Sequence, residues 1–245
     1  QTTTAGIHSI FFCGIRHFLR PKKILWIPAV VVCTFTAIVG LYALLWFQTI
    51  AEDAIQSNAR LTGNWRIQLS VIVVKAIGWF YRLTDAEYSS LFEKFVGFIG
   101  GVGLCEEFTK LIPLFVIVVF RKKRWAKHLL SFRSFLVMGF FSGLGFGIGE
   151  ALTCYSLSSG NFGFNSQIQR WFACVPSHAI YTVIDSAILW MLAPRLERAS
   201  SIYKKLFVCV LTVAAMAILH GIYDTFCCFS NMVAVLLDVA SLFLM

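Results

Sequence analysis

Apolar residues in this chain run in long blocks separated by short polar or basic stretches. The first sustained block covers residues 24–50. Others cover 91–120, 132–157, 170–193 and 206–229, and a last apolar piece runs over 232–245. A helix rising 1.5 Å per residue needs about 20 apolar residues to cross a bilayer core. Every block but the last reaches that length. Residues 66–83 are only moderately apolar, carry Lys75 and end at Arg82. In lipid the backbone must satisfy its own hydrogen bonds, which leaves helices as the spanning element. The pattern therefore predicts an all-α fold, a polytopic transmembrane helix bundle of about six to eight membrane helices. No repeat or low-complexity linker interrupts it, so a single membrane domain over 1–245 is expected.

Composition agrees. Hydrophobic residues make up 58% of the 245, and only 13% are charged, against about 25% in soluble domains. Mean hydropathy is +0.77. So few charges cannot coat a water-facing surface, and lipid is the expected partner. The net charge of +9 suggests a basic protein, but its placement argues otherwise. Lys and Arg gather at 16–23, 121–128 and 195–205, between apolar blocks. That is how cytoplasmic loops are marked, and no nucleic-acid partner is expected. The eight cysteines form no CxxC pair and lie mostly in apolar runs, so they read as small apolar fillers. No cleavable signal peptide is expected, because the first apolar run is too long for one. The chain begins at Gln1 and ends within an apolar run, as a fragment or processed form would.

With the basic clusters inside, the loops at 51–65 and 158–169 face outside. Spans after residue 132 alternate consistently. Between 51 and 120 the count must be one crossing or three. Either 66–83 lies in the interface, or 91–120 is broken near Gly97, Gly100, Gly101 and Gly103. The interfacial placement is preferred, because Lys75 and the flanking arginines suit the headgroup level.

Charges inside these blocks are the candidate chemistry, since each costs about 2.5–3.5 kcal/mol at the bilayer centre on insertion scales. Glu106, Glu107 and Lys110 share a helix face at spacings of three and four. One lysine neutralises one carboxylate and leaves the other able to take a proton from water. Glu150 follows a run of glycines, Gly139 to Gly149, that lets a neighbouring helix come close. His178 lies inside its span. His220 and Asp224, four apart, form a pair in which the carboxylate can orient the imidazole. Taken singly, each group could be a structural pair. Four helices each carrying one are better explained by a shared wet cavity. Glu150, His178 and Asp224 fall toward the outer ends of their spans, so the cavity should open outward.

The ordered set EExxK at 106–110, FxxxE at 146–150, His178 and HxxYD at 220–224 resembles the PrsW family of intramembrane proteases. That family is similar to the CAAX-processing (CPBP) proteases and to the gamma-secretase scaffold subunit. The likeness covers a protease-like core of about residues 90–230. It implies an intramembrane endopeptidase in which a glutamate-activated water hydrolyses a membrane-tethered, single-span protein substrate, such as an anti-sigma factor, on its outer side. It also implies a multi-pass location in a bacterial cytoplasmic membrane. By position, Glu106 and Glu107 would be the catalytic pair with Lys110 as partner. Glu150 would be a second carboxylate, His178 and His220 would complete the site, and Asp224 would orient His220. CPBP proteases end the second motif in His where this chain has Glu150, so their mechanism does not transfer whole. The metal question stays open: Glu150, His178 and His220 are candidate ligands for a Zn²⁺ ion, but no HExxH is present and the glutamate mechanism requires none. A catalytically silent scaffold binding transmembrane helices, and a proton-coupled transporter, are the alternatives. A transporter would be expected to show internal repeats, and none is found.

Overall fold

A computed structural model describes residues 26–56, 65–85, 89–120, 123, 129–157, 170–198 and 201–227. The basic cluster at 16–23, most of that at 121–128, the loop 158–169 and the last apolar piece at 232–245 lie outside the described residues. The described part is helical throughout, without strands. It forms six helices. α1 is Trp26–Gln56, α2 is Trp65–Asp85, and α3 runs without a break through Leu91–Gly97, Phe98–Gly103 and Leu104–Val119. α4 is Phe132–Leu157, α5 joins Arg170–Cys174 to Val175–Arg198, and α6 is Ile202–Cys227. Five of them, all but α3, are long and apolar enough to cross a membrane. α3 carries the buried charges.

Three stretches widen into π-helical turns: Thr36–Gly40 in α1, Phe98–Gly103 in α3 and Arg170–Cys174 in α5. The glycine-rich stretch of α3 is thus one of these turns, not a break. Such turns shift the helix face by a residue and often occur beside functional sites. Here two of them directly precede the segments bearing Glu106 and His178. α3 starts on a capping box, in which Ser90 and Glu93 exchange side-chain and backbone hydrogen bonds.

Close packing at glycines sets the helix order. A Cβ at Gly143 would come within 2.2 Å of the His178 carbonyl oxygen, and one at Gly145 within 2.2 Å of that of Cys33. α4 therefore presses α5 with one face (Gly139, Gly143, Gly147) and α1 with the other (Gly145, Gly149). Cys33 and Ala37 meet Gly145 and Gly149 in the same order, so α1 and α4 run parallel. Gly139, Gly143 and Gly147 meet α5 in reverse order, so α4 and α5 are antiparallel. Gly103 abuts Ala217, and Gly221 abuts Ile99, which makes α3 and α6 antiparallel. α2 packs on the second half of α1 and the first half of α3, with Gly78 against Ala51 and Phe80 against Gly97 and Gly100.

The apolar core lies toward the end where α3 finishes. Leu111, Leu114, Ile117 and Val118 of α3 pack there with Phe135 and Met138 of α4, Leu189 of α5 and Val213 of α6. Along α3 the buried positions 107, 110, 111, 114, 117 and 118 follow helical spacing. The same stripe is polar in its upper half and apolar in its lower half. Glu107 and Lys110 therefore sit directly above the apolar core.

Candidate active site

α3 supplies Glu106, Glu107 and Lys110 to the centre of the bundle, one turn past its π-helical segment. Pro113 lies in the next turn and has no N–H for the Thr109 carbonyl. Beside it, the Ser142 hydroxyl donates to the Lys110 carbonyl at 2.5 Å, which ties α4 to α3 at the level of the charges.

Glu107 and Lys110 are fully buried. The Lys110 ammonium donates to Glu107 Oε1 at 2.8 Å and lies 3.5 Å from Glu106 Oε2. It also contacts His178 Nδ1 at 2.7 Å and lies 4.7 Å from the centre of the Phe146 ring. An ammonium can only donate, so His178 Nδ1 accepts and its proton sits on Nε2. That Nε2–H points at Glu150 Oε2, 2.8 Å away. Phe146 also meets the His178 ring edge-on, with centroids 5.5 Å apart. The phenylalanine of the FxxxE pattern thus supports both Lys110 and His178, the partner of Glu150.

His220 completes the other side. Its Nδ1–H donates to Glu107 Oε1 at 2.7 Å. Its Nε2 faces Glu106 Oε2 at 3.6 Å and Asp224 Oδ2 at 3.4 Å. The His178 and His220 rings meet edge to face, 5.3 Å apart. All seven residues singled out from the sequence therefore form one cluster, with contributions from α3, α4, α5 and α6.

The two glutamates of the pair differ. Glu107 Oε1 accepts from both Lys110 and His220, and its side chain has no exposure. Glu106 is 13% exposed, and its Oε2 lies 3.5 Å from Lys110 Nζ and 3.6 Å from His220 Nε2, while Oε2 of each glutamate is buried without a hydrogen bond among the described residues. Glu150 and Asp224 are more open, at 24% and 21%. Exposure thus rises from Glu107 toward the end of the bundle where α4 and α6 finish.

Two further residues belong to this region. Cys174, one turn before His178, has its sulfur 3.3 Å from His178 Nε2 and 3.9 Å from Glu150 Oε2. It is not the inert filler expected for the cysteines. Its signal was the CxxxH spacing, which places thiol and imidazole on one helix face. Asp185, two turns beyond His178, is fully buried, and neither carboxylate oxygen has a hydrogen-bond partner among the described residues.

The donor set is compatible with a divalent metal. Glu106, His178 and His220 each offer a ligand atom, all within 4.8 Å of one another. Glu106 Oε2 and His220 Nε2 lie 3.6 Å apart, a spacing that two ligands of one ion can hold. His220 has the arrangement of a ligand histidine, with Nδ1–H on a carboxylate and Nε2 turned toward Glu106. His178 fits less directly, because Lys110 holds its proton on Nε2.

A family profile described as PrsW family intramembrane metalloprotease matches residues 26–245. No curated protein and no solved structure matches the chain.

Proposed function

Because this chain belongs to the PrsW family of intramembrane metalloproteases, we propose that it hydrolyses a peptide bond in a single-span membrane protein, near the outer face of the membrane, with Glu106 as the residue that takes the proton from water. The observation that carries this reading is the asymmetry of the glutamate pair. Glu107 Oε1 accepts from both Lys110 and His220 and the side chain has no exposure, whereas Glu106 is 13% exposed and stands off from the same two residues at 3.5 and 3.6 Å.

Glu107 is a positioning residue. Its Oε1 fixes the Lys110 ammonium and the His220 ring at once. A water beside Glu106 Oε2 would give up a proton to that oxygen while its own oxygen attacks the scissile carbonyl. Lys110 Nζ, 3.5 Å from Glu106 Oε2, would stabilise the oxyanion, and His220 Nε2, 3.6 Å from the same oxygen, would join it when the ring is protonated on both nitrogens. Glu106 then returns the proton to the leaving amine, and the carboxylate is regenerated. The rigid α3–α6 contact at Gly103 and Gly221 keeps these groups in register.

Glu106, His178 and His220 would hold a metal such as Zn²⁺. When bound it would act as a Lewis acid on water or on the carbonyl. With Glu106 so engaged, Glu150 is the carboxylate at the mouth able to accept a proton.

The test is cleavage of a panel of single-span peptides by purified protein in lipid vesicles. Wild type should form product, and Glu106→Gln should form none while keeping its helix content and elution. A Glu106→Gln variant that cleaves at the wild-type rate would falsify the assignment. Treatment with a zinc chelator, followed by Zn²⁺, separates the two mechanisms. Loss and recovery of activity mark the metal, and no effect marks the carboxylate alone.

A further inference from the structure

We propose that Glu150, Cys174 and His178 form a thiolate-containing site for Zn²⁺ or a similar borderline-soft cation at the mouth of the cavity, separate from Glu106 and His220. The three side chains come from α4 and from both parts of α5, and their ligand atoms lie within 4.8 Å of one another. The pairwise distances are 3.3 Å for sulfur to His178 Nε2, 3.9 Å for sulfur to Glu150 Oε2, and 2.8 Å for His178 Nε2 to Glu150 Oε2. Neighbouring ligands in a tetrahedral zinc shell are about 3.4–3.6 Å apart, given bonds of about 2.0–2.3 Å. The two sulfur distances bracket that spacing. Only the imidazole–carboxylate hydrogen bond must open, by about 0.6 Å, to admit an ion of that geometry.

The site is reachable and negatively biased. Glu150 is 24% exposed, and Cys174, which forms no disulfide, is also partly exposed. Cys174 ends the π-helical turn Arg170–Cys174, and the helix continues from Val175 with His178 one turn on. Thiol and imidazole therefore share a face that points at Glu150. Binding through His178 Nε2 moves the ring proton to Nδ1, which faces Lys110. The ammonium already lies 2.8 Å from Glu107 and 3.5 Å from Glu106, so it can withdraw onto those carboxylates. A thiolate ligand selects zinc-like ions over magnesium or calcium. Three protein ligands leave a fourth position facing the mouth.

Co²⁺ is the probe, because thiolate coordination gives it a near-ultraviolet charge-transfer absorption that oxygen and nitrogen ligands do not. The reduced full chain in detergent or nanodiscs should show this absorption on Co²⁺ titration, and Zn²⁺ should abolish it by displacement. Cys174→Ser should lose it, and Cys33→Ser should keep it. Absence of the absorption in the wild type, or its persistence in Cys174→Ser, overturns the site. A second measurement needs no variant: Zn²⁺ should slow alkylation of Cys174 at least tenfold, read by mass spectrometry, while Mg²⁺ should not. Equal alkylation with and without Zn²⁺ also overturns it. Neither readout depends on peptide cleavage, so failure here and failure of the protease mechanism are distinguishable.

Discussion

Glu106 and Glu107 are neighbours in sequence, yet they make different demands on the fold. Glu107 is the shared acceptor of two buried donors, Lys110 and His220. Replacing it with Ala leaves Lys110 and His220 facing each other without that charge. Loss of one partner from a buried ion pair costs about 3–5 kcal/mol, so Glu107→Ala should lower the unfolding midpoint sharply in a detergent melt. Glu106→Gln changes a partly exposed side chain whose nearest cationic neighbours stand 3.5–3.6 Å off, and should cost about 1 kcal/mol or less. Equal destabilisation by the two would contradict the division of roles. Asp185 makes the opposite case. Burying a polar group without a hydrogen bond costs about 1–3 kcal/mol on mutational scales. Asp185→Leu, close in volume, should therefore raise the midpoint. A fall would mean that Asp185 has a partner, such as an internal water. The sequence marks all these residues as costly in lipid. It does not mark which glutamate is sealed, because residues one apart on a helix point about 100° away from each other, and the neighbouring helices decide which direction is inside.

At the scale of elements, α4 is the shared wall of the bundle. Its glycines alternate between two contacts, three against α5 and two against α1, so a single helix brings Glu150 to His178 and holds α1 across from it. The backbone atoms it meets cannot turn aside as a side-chain tip could. Gly143→Ala should cost about 1–3 kcal/mol, the usual cost of overpacking, and should open the Glu150–His178 contact. Comparing thermal midpoints of Gly143→Ala and an exposed control such as Leu152→Ala tests this, with a loss confined to Gly143→Ala expected. The glycine run was legible as a thin helix face. Which neighbour each glycine meets was not, since that depends on helix order. The π-helical turns were also invisible beforehand. They preserve the helical composition and differ only in hydrogen-bond pattern, which packing around the site selects.

The whole molecule combines helix directions with charge distribution. α1, α4 and α6 run one way, and α3 and α5 run the other. Because α1 and α3 run in opposite directions, the end of α1 and the start of α3 lie toward the same side of the bundle, where α2 packs on both. A connection between them that begins and ends on one face agrees with the expected interfacial lie of α2, although α2 is long and apolar enough to span. Single cysteines placed at 57–64 and 86–88 in a cysteine-free background should react with an impermeant reagent from the same side. Labelling from opposite sides would make α2 a crossing and would reverse the sidedness assigned to α3.

Length and hydropathy of the apolar blocks, with no structure at hand, determine that this is a helical membrane protein, because lipid tolerates little else at that length. The placement of Glu106, Glu107, Lys110, Glu150, His178, His220 and Asp224 inside apolar blocks marks them as positions that need partners, because each is too costly in hydrocarbon to persist there alone. Tertiary structure alone decides who partners whom: that Glu107 holds both Lys110 and His220, that Lys110 fixes the His178 proton on Nε2, that Cys174 joins Glu150, and that Asp185 has no hydrogen-bond partner among the described residues. Those outcomes depend on interhelical distances of a few ångströms, set by backbone contacts at Gly103, Gly143 and Gly221. No periodicity along one helix encodes distances between two.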